Sequence, residues 1–282
     1  MTQLKKIIKS TIYAFCEFAS GTRIGRYFIY EMLQITMERV QTVSYGGVVL
    51  GFPTPNSLCE WRAETFATKE PETLEWIDSL PENSILWDVG ANIGLYSVYA
   101  AKKKNCRVWA FEPSVFNLEL LARSISVNQL TDLICIVPVA LSNRLAPSNM
   151  RMTSTQWGGA LSTFGQDFGW DGKSIRPVFS FKTLGLSMED AVDRLSIPAP
   201  DFIKMDVDGL EHYILQGGSN IMKNVKGILI EINDDFATQA EQCKRLLDEA
   251  GLVLKEKRHS EIISSSTFGF QHSYNQIWVR PK

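Results

Sequence analysis

The sequence predicts an α/β protein with a doubly wound, mostly parallel sheet, an antiparallel last strand, and an N-terminal helical and hairpin extension. Three observations predict it. From Ile85 onward, short apolar runs alternate with helical stretches. The runs are apolar on both faces, as strands covered by helices on each side must be. The first run ends in a glycine-bearing turn that opens directly into an apolar helix.

The elements follow in order. Residues 3 to about 40 read as helical, with Ile7, Ile8, Ile12, Phe15 and Phe18 recurring on one side. "TVSYGGVVLGF" reads as a hairpin turning at Gly46-Gly47. Pro71 starts the helix "EPETLEWIDSL", at a first-turn position where its missing N–H costs nothing. The strand candidates are "ILWDV", "RVWAFE", "LICIVPVAL", "DFIKMD" and "GILIEI", with "LVLKEK" and "NQIWVR" as an antiparallel end. Residues 1–69 are assigned to the extension and 70–282 to the main domain. Residues 144–180 interrupt the rhythm and read as an inserted lid or disordered loop.

Composition narrows the function. A chain of 282 residues that is 45% hydrophobic can bury a full core. A net charge of -2 without a polybasic block leaves no electrostatic footprint for nucleic acid. Five scattered cysteines, never in CxxC spacing, fit neither a disulfide framework nor a zinc site, and point to a reducing compartment. The basic, apolar start resembles a signal peptide, but Lys9 and Glu17 interrupt it and no run reaches membrane-spanning length. The expected location is cytoplasmic. The apolar N-terminal helix makes a homodimer plausible.

"DVGANIG" occupies the turn after the first strand, where ligands of doubly wound sheets bind. Gly90 and Gly94 flank Asn92 and are expected to clear a path for the ligand. A dinucleotide fingerprint would read GxGxxG, whereas here Asp88 precedes a differently spaced pair. Asp88 suits an ammonium group better than a pyrophosphate. Eighteen residues beyond Gly94, Glu112 ends the second strand, placed to accept both hydroxyls of a ribose. A nucleoside carrying a zwitterion satisfies both carboxylates, which indicates S-adenosylmethionine. Ser114 is the expected cap of the next helix.

"DVGANIGLYS", "FEPS" and "FIKMDVDGLEHYILQG" together resemble the FkbM-type methyltransferases, over roughly residues 70–282 including "VALSN" and "YNQIWV". The resemblance implies a Rossmann-like class I methyltransferase sheet. It also implies methyl transfer from S-adenosylmethionine to a hydroxyl, often on a sugar or secondary metabolite, with Pro113 and Ala140 among the cofactor contacts. The family pattern has glutamate where this chain has Asp208, one methylene shorter.

An alcohol needs a base or a metal to lose its proton at neutral pH. Lys204 and Asp206 are anomalies in a buried strand, as a structural pair or as catalytic groups. His212, one turn into the next helix, is a second candidate base, or simply packing. Asp208 and Glu211 read as a capping box for that helix. Glu231 leaves the apolar fifth strand and is placed to touch substrate. With Asp206 it could share a magnesium ion, although a direct base is favoured. Trp157 and Trp170 are candidate sugar-stacking groups, with Gln156 and Asp167 beside them. The expected acceptor is a sugar, polysaccharide or glycosylated metabolite. A polyketide or lipid hydroxyl, or a silent cofactor-binding module in a polysaccharide-assembly complex, stays open.

Overall fold

The computed structural model describes residues 3–259 and 270–281. Helices α1 (Gln3–Ser20) and α2 (Arg23–Glu38) lead to the hairpin strands β1 (Val40–Tyr45) and β2 (Val48–Pro53). Next come α3 (Ser57–Glu64), α4 (Phe66–Lys69), α5 (Pro71–Ser79), β3 (Ile85–Val89) and α6 (Leu95–Lys104). They are followed by β4 (Arg107–Phe111), α7 (Val115–Val127), β5 (Ile134–Val137) and β6 (Ala140–Leu141). The middle of the chain holds β7 (Ala146–Met152), β8 (Thr163–Phe164), β9 (Phe179–Leu186) and α8 (Met188–Leu195). The remainder is β10 (Phe202–Met205), α9 (Glu211–Gln216), α10 (Ser219–Met222), β11 (Gly227–Asn233), α11 (Ala237–Glu249), β12 (Val253–Arg258) and β13 (Ser273–Val279).

Among the described residues, the main sheet runs β12-β13-β11-β10-β3-β4-β5. Its pairs from β11 to β5 are parallel, and β13 runs antiparallel between β11 and β12. The mostly parallel sheet with a reversed last strand is therefore present. Strand order reverses between β3 and β10, so the crevice expected of a doubly wound sheet opens at the ends of these two strands. Alternation divides the core. Leu86, Val108, Ala110 and Leu229 pack on one face, and Trp87, Val89, Ile203, Met205, Ile228 and Ile230 on the other.

Three expectations are corrected here. The N-terminal helix is two helices, broken where Gly21 turns the chain and Thr22 caps α2 by accepting the Gly25 N–H. "LICIVPVAL" divides at Pro138: β5 joins the main sheet, while β6 joins a second sheet of order β6-β9-β7-β8. Within the segment 144–180, β7 pairs with β9 and β8 with β7, so these parts are strands of the second sheet rather than a disordered loop. The hairpin turns at Gly46 and Gly47, both at positive φ, and buries Leu50 and Phe52 against the main core.

Candidate active site

The turn after β3 shows why the glycines are needed. Gly90 has φ +83, and a Cβ there would lie 1.9 Å from the Asp206 carbonyl oxygen. A Cβ at Gly94 (φ +87) would lie 2.5 Å from Leu121 Cδ1. Both glycines clear protein neighbours rather than the ligand's path, which corrects the sequence reading. Gly90 lets the β3 turn approach the end of β10.

A cleft of about 620 Å³, its mouth included, opens at this switch point. Phe111, Val139, Ala140, Leu141, Phe164 and Leu210 supply apolar lining. Gly90, Asn92, Glu112, Pro113 and Ser114 line one part, and Asp206 and Asp208 also face it. The structure thus brings together Gly90, Asn92, Glu112, Pro113, Ala140 and Asp206 from the expected set.

Glu112 is buried and accepts the backbone N–H groups of Asn92 at 2.8 Å and Ser114 at 2.7 Å. The Asn117 side chain bonds the same carboxylate, which with about four acceptor positions still has room for a ligand donor. Burial pushes its carboxyl up to about 7 against these hydrogen bonds. Ser114 occupies the cap position of α7 without making the side-chain cap bond, and its buried Oγ has no partner among the described groups. An unsatisfied hydroxyl beside a carboxylate with spare lone pairs, in an apolar cleft, fits a nucleoside with ribose hydroxyls.

Asp88 does not line this cleft. It is a register partner of Lys204 on the neighbouring strand, so both side chains enter the same buried face. Asp88 Oδ2 accepts the Ser97 hydroxyl at 2.6 Å, and Oδ1 lies 3.7 Å from Lys204 Nζ. Its expected pairing with a ligand ammonium is replaced by this internal ion pair. Lys204 also reaches Asp206 Oδ2 at 3.3 Å and sits 5.5 Å from the Tyr96 ring centroid. Burial disfavours its ammonium, but Asp206, Asp88 and Glu70 outweigh that and hold its pKa above the ordinary value. Of Asp88, Lys204 and Asp206, the last alone is partly exposed, and it faces the cleft.

The turn after β10 is braced by carboxylates. Asp208 sits at φ +58, an uncommon conformation for a non-glycine, and accepts the Leu161 N–H at 2.7 Å. Burial and then Asp206 push it up to about 6. Glu211 accepts Val207 N–H at 3.0 Å and Gly209 N–H at 3.1 Å, and takes a bond from Gln239. The expected capping box is absent: Asp208 ties the turn to the β7–β9 segment, and Leu210 is the residue preceding α9.

The other candidate groups do not line the cleft. His212 is buried between Tyr213 and Phe236, outside the cleft lining, with an unpartnered Nδ1. Burial lowers its pKa to about 4. Glu231 lies on β11, where burial, then Asp206 and Glu70, raises its carboxyl well above the usual range. Among the described residues, no three His, Cys, Asp or Glu side chains are grouped as metal ligands. Trp157 packs near Cys59, Ile93 and Leu120 while its carbonyl accepts the Asn56 side chain. The Trp170 carbonyl accepts Asn233 Nδ2.

Sequence reasoning missed the groups that fix the cleft wall. Asn117 binds both Gly158 N–H and Gly159 carbonyl, Asn92 donates to the same carbonyl, and Arg62 donates to Gly158. A signal for Asn117 was present: an asparagine at helical spacing with the buried Leu120, Leu121 and Ser124. Glu70 was missed as well. It takes bonds from Lys69 and Tyr96, and although burial opposes its ionisation, Lys69 and Lys204 hold it down at about 2. No local motif marks it.

A model of the Methyltransferase FkbM domain matches residues 88–260. The chain is similar to the hexuronic acid methyltransferase AglP of Haloferax volcanii, 26% identical over 199 residues, covering 68% of this chain and 73% of that protein. It is also similar to the methyltransferase sdnD of Sordaria araneosa, 40% identical over 53 residues that cover 18% of this chain and 20% of that one. The crystal structure of a methyltransferase FkbM from Methylobacillus flagellatus KT aligns with TM-score 0.48 and 17% identity, over 91% of this chain. This chain spans 59% of that protein's length. The domain match covers more than half of the chain and contains the β3 turn, Glu112 and the end of β10, from which the cleft is built. The chain belongs to the FkbM methyltransferase family.

Proposed function

We propose that the protein is an S-adenosylmethionine-dependent O-methyltransferase acting on a hydroxyl of a sugar, polysaccharide or glycosylated metabolite. One observation carries this reading: at the switch point, an apolar cleft holds Glu112 and the unpartnered Ser114 Oγ together with the partly exposed carboxylate of Asp206. The similarity to a hexuronic acid methyltransferase supports a sugar acceptor.

S-Adenosylmethionine supplies an electrophilic methyl group when bound. Glu112 and Ser114 would hold the ribose hydroxyls, and Gly90, Asn92, Pro113 and Ala140 would shape the nucleoside cradle. Asp206 accepts the proton of the acceptor hydroxyl. Lys204 positions that carboxylate from behind, at 3.3 Å. The cleft wall held by Asn117 and Arg62 excludes water from one side. His212 makes a poor base, since it lies outside the cleft lining among aromatic rings.

Three results are expected. Glu112→Ala weakens S-adenosylmethionine binding about tenfold to hundredfold through lost charge-assisted bonds worth about 1.5–3 kcal/mol. Calorimetry on a variant of unchanged melting temperature checks this, and native affinity would remove Glu112 from the site.

Second, cofactor affinity rises with pH and levels off above about 7, because hydroxyl donors favour the ionised Glu112 carboxylate. Glu112→Gln should flatten the profile. The ligand-free protein shows the opposite trend. Glu112 and Glu211 both titrate near 7 rather than at the ordinary 4.5, so the folded state holds more protons within that window. Their contribution to stability is present below 4.5 and is lost as pH rises towards 7.

Third, methyl transfer persists in excess chelator. Lys204 places an ammonium on Asp206, where a shared metal would need that carboxylate. A complete loss restored by magnesium would reinstate a metal site involving Asp206 and Glu231. The proposed activity itself is tested by supplying methyl-labelled S-adenosylmethionine with uronic-acid glycans and following label into the glycan fraction. No transfer to any carbohydrate fraction would remove the sugar acceptor.

A further inference from the structure

Helices α1 and α2 bury no residue. On α1, Leu4, Ile7, Ile8, Ile12, Phe15 and Phe18 follow three- and four-residue spacing, and each is at least 50% exposed. On α2, Ile24, Phe28, Met32, Leu33 and Ile35 are similarly open. The two helices meet at a tight elbow, where a Cβ on Gly25 would lie 2.1 Å from the Ala19 carbonyl oxygen. Both apolar faces therefore lack cover from the described chain. Exposed apolar surface of this extent marks an interaction site.

Charge identifies the partner. Residues 3–38, the whole of α1 and α2, carry five cations (Lys5, Lys6, Lys9, Arg23 and Arg26) against three carboxylates (Glu17, Glu31 and Glu38), with all five cations before residue 27. The whole chain is nevertheless at -2, so the hairpin is cationic and the remainder is acidic. On α1, Lys5 borders the apolar face while Lys6 and Lys9 lie on the polar side, the amphipathic division of helices that lie along a bilayer surface. A second copy would bring the same cationic edges together, whereas an anionic surface complements them. Among the described residues, no helix is long and apolar enough to cross a membrane.

We propose that the α1–α2 hairpin docks the protein on an anionic lipid bilayer. Its apolar faces enter the boundary between headgroups and acyl chains, and its five cations meet lipid phosphates.

The test is flotation of the full chain with vesicles of phosphatidylcholine alone or phosphatidylcholine mixed with phosphatidylglycerol. Binding to the mixed vesicles is expected to exceed binding to the neutral ones by at least about tenfold and to fall with added salt. Replacing all three of Lys5→Gln, Lys6→Gln and Lys9→Gln should weaken it about a hundredfold. Phe15→Glu with Phe18→Glu should abolish it on either vesicle. Cofactor affinity and melting temperature should be unchanged in both variants. Equal binding to the two vesicle types, binding indifferent to salt, or a solution dimer that ignores vesicles would each overturn the proposal.

Discussion

Asp206→Asn is expected to lower methyl-transfer turnover about a hundredfold or more while leaving cofactor affinity within a few fold. The magnitude is that of a lost general base. Asp206 is the partly exposed member of a buried charge cluster and faces the cleft. Asparagine keeps its shape but cannot accept the hydroxyl proton. Folding should survive, because Lys204 retains Asp88 at 3.7 Å and Glu70 nearby. Single-turnover kinetics beside calorimetry separates chemistry from binding. Near-normal turnover would make Asp206 a structural partner of Lys204 and move the search for a base to other groups on the cleft.

The second large effect is on stability. Lys204→Met should cost about 3–5 kcal/mol, the usual penalty for breaking a buried pair and stranding its partner. Asp88 is 1% exposed and would lose its nearby ammonium. Burial already pushes the Asp88 carboxyl up against the pull of Lys204. Without that lysine the carboxyl would be neutral over a wider range. The loss should therefore grow as pH rises from acid towards neutral, as the unfolded chain releases a proton that the folded variant keeps. Urea midpoints at acid and neutral pH measure this. Adding Asp88→Asn should recover much of the loss, since Glu70 keeps Lys69 and Asp206 is partly exposed. A Lys204→Met protein as stable as the parent would mean that the pair contributes nothing.

The central strands were legible because parallel strands covered on both faces read as unbroken apolar runs, as "ILWDV" and "GILIEI" do. The β7 run "APSNMRM" was not, since its burial is mixed and its support comes from β9, distant in sequence, with Ala146 paired to Gly185 and Met152 to Phe179. The α1–α2 break was hidden because apolar periodicity continues through Gly21 and Thr22. Within the site, Glu112 and Asp206 were visible as acids ending apolar strands. Asp88 was misplaced because sequence position does not reveal which cross-strand neighbour shares its face, and that neighbour is Lys204. The glycines were found but their reason was not, as the atoms they accommodate belong to Asp206 and Leu121.

The central claim is that this cleft transfers a methyl group to a sugar hydroxyl. The most direct measurement uses S-adenosylmethionine labelled in its methyl group, a uronic-acid glycan acceptor, and the parent and Asp206→Asn proteins side by side. The label is expected in a methyl ether on a ring hydroxyl with the parent, and about a hundredfold more slowly with the variant. Label on nitrogen or carbon, or binding of the cofactor without transfer to any hydroxyl, would contradict it.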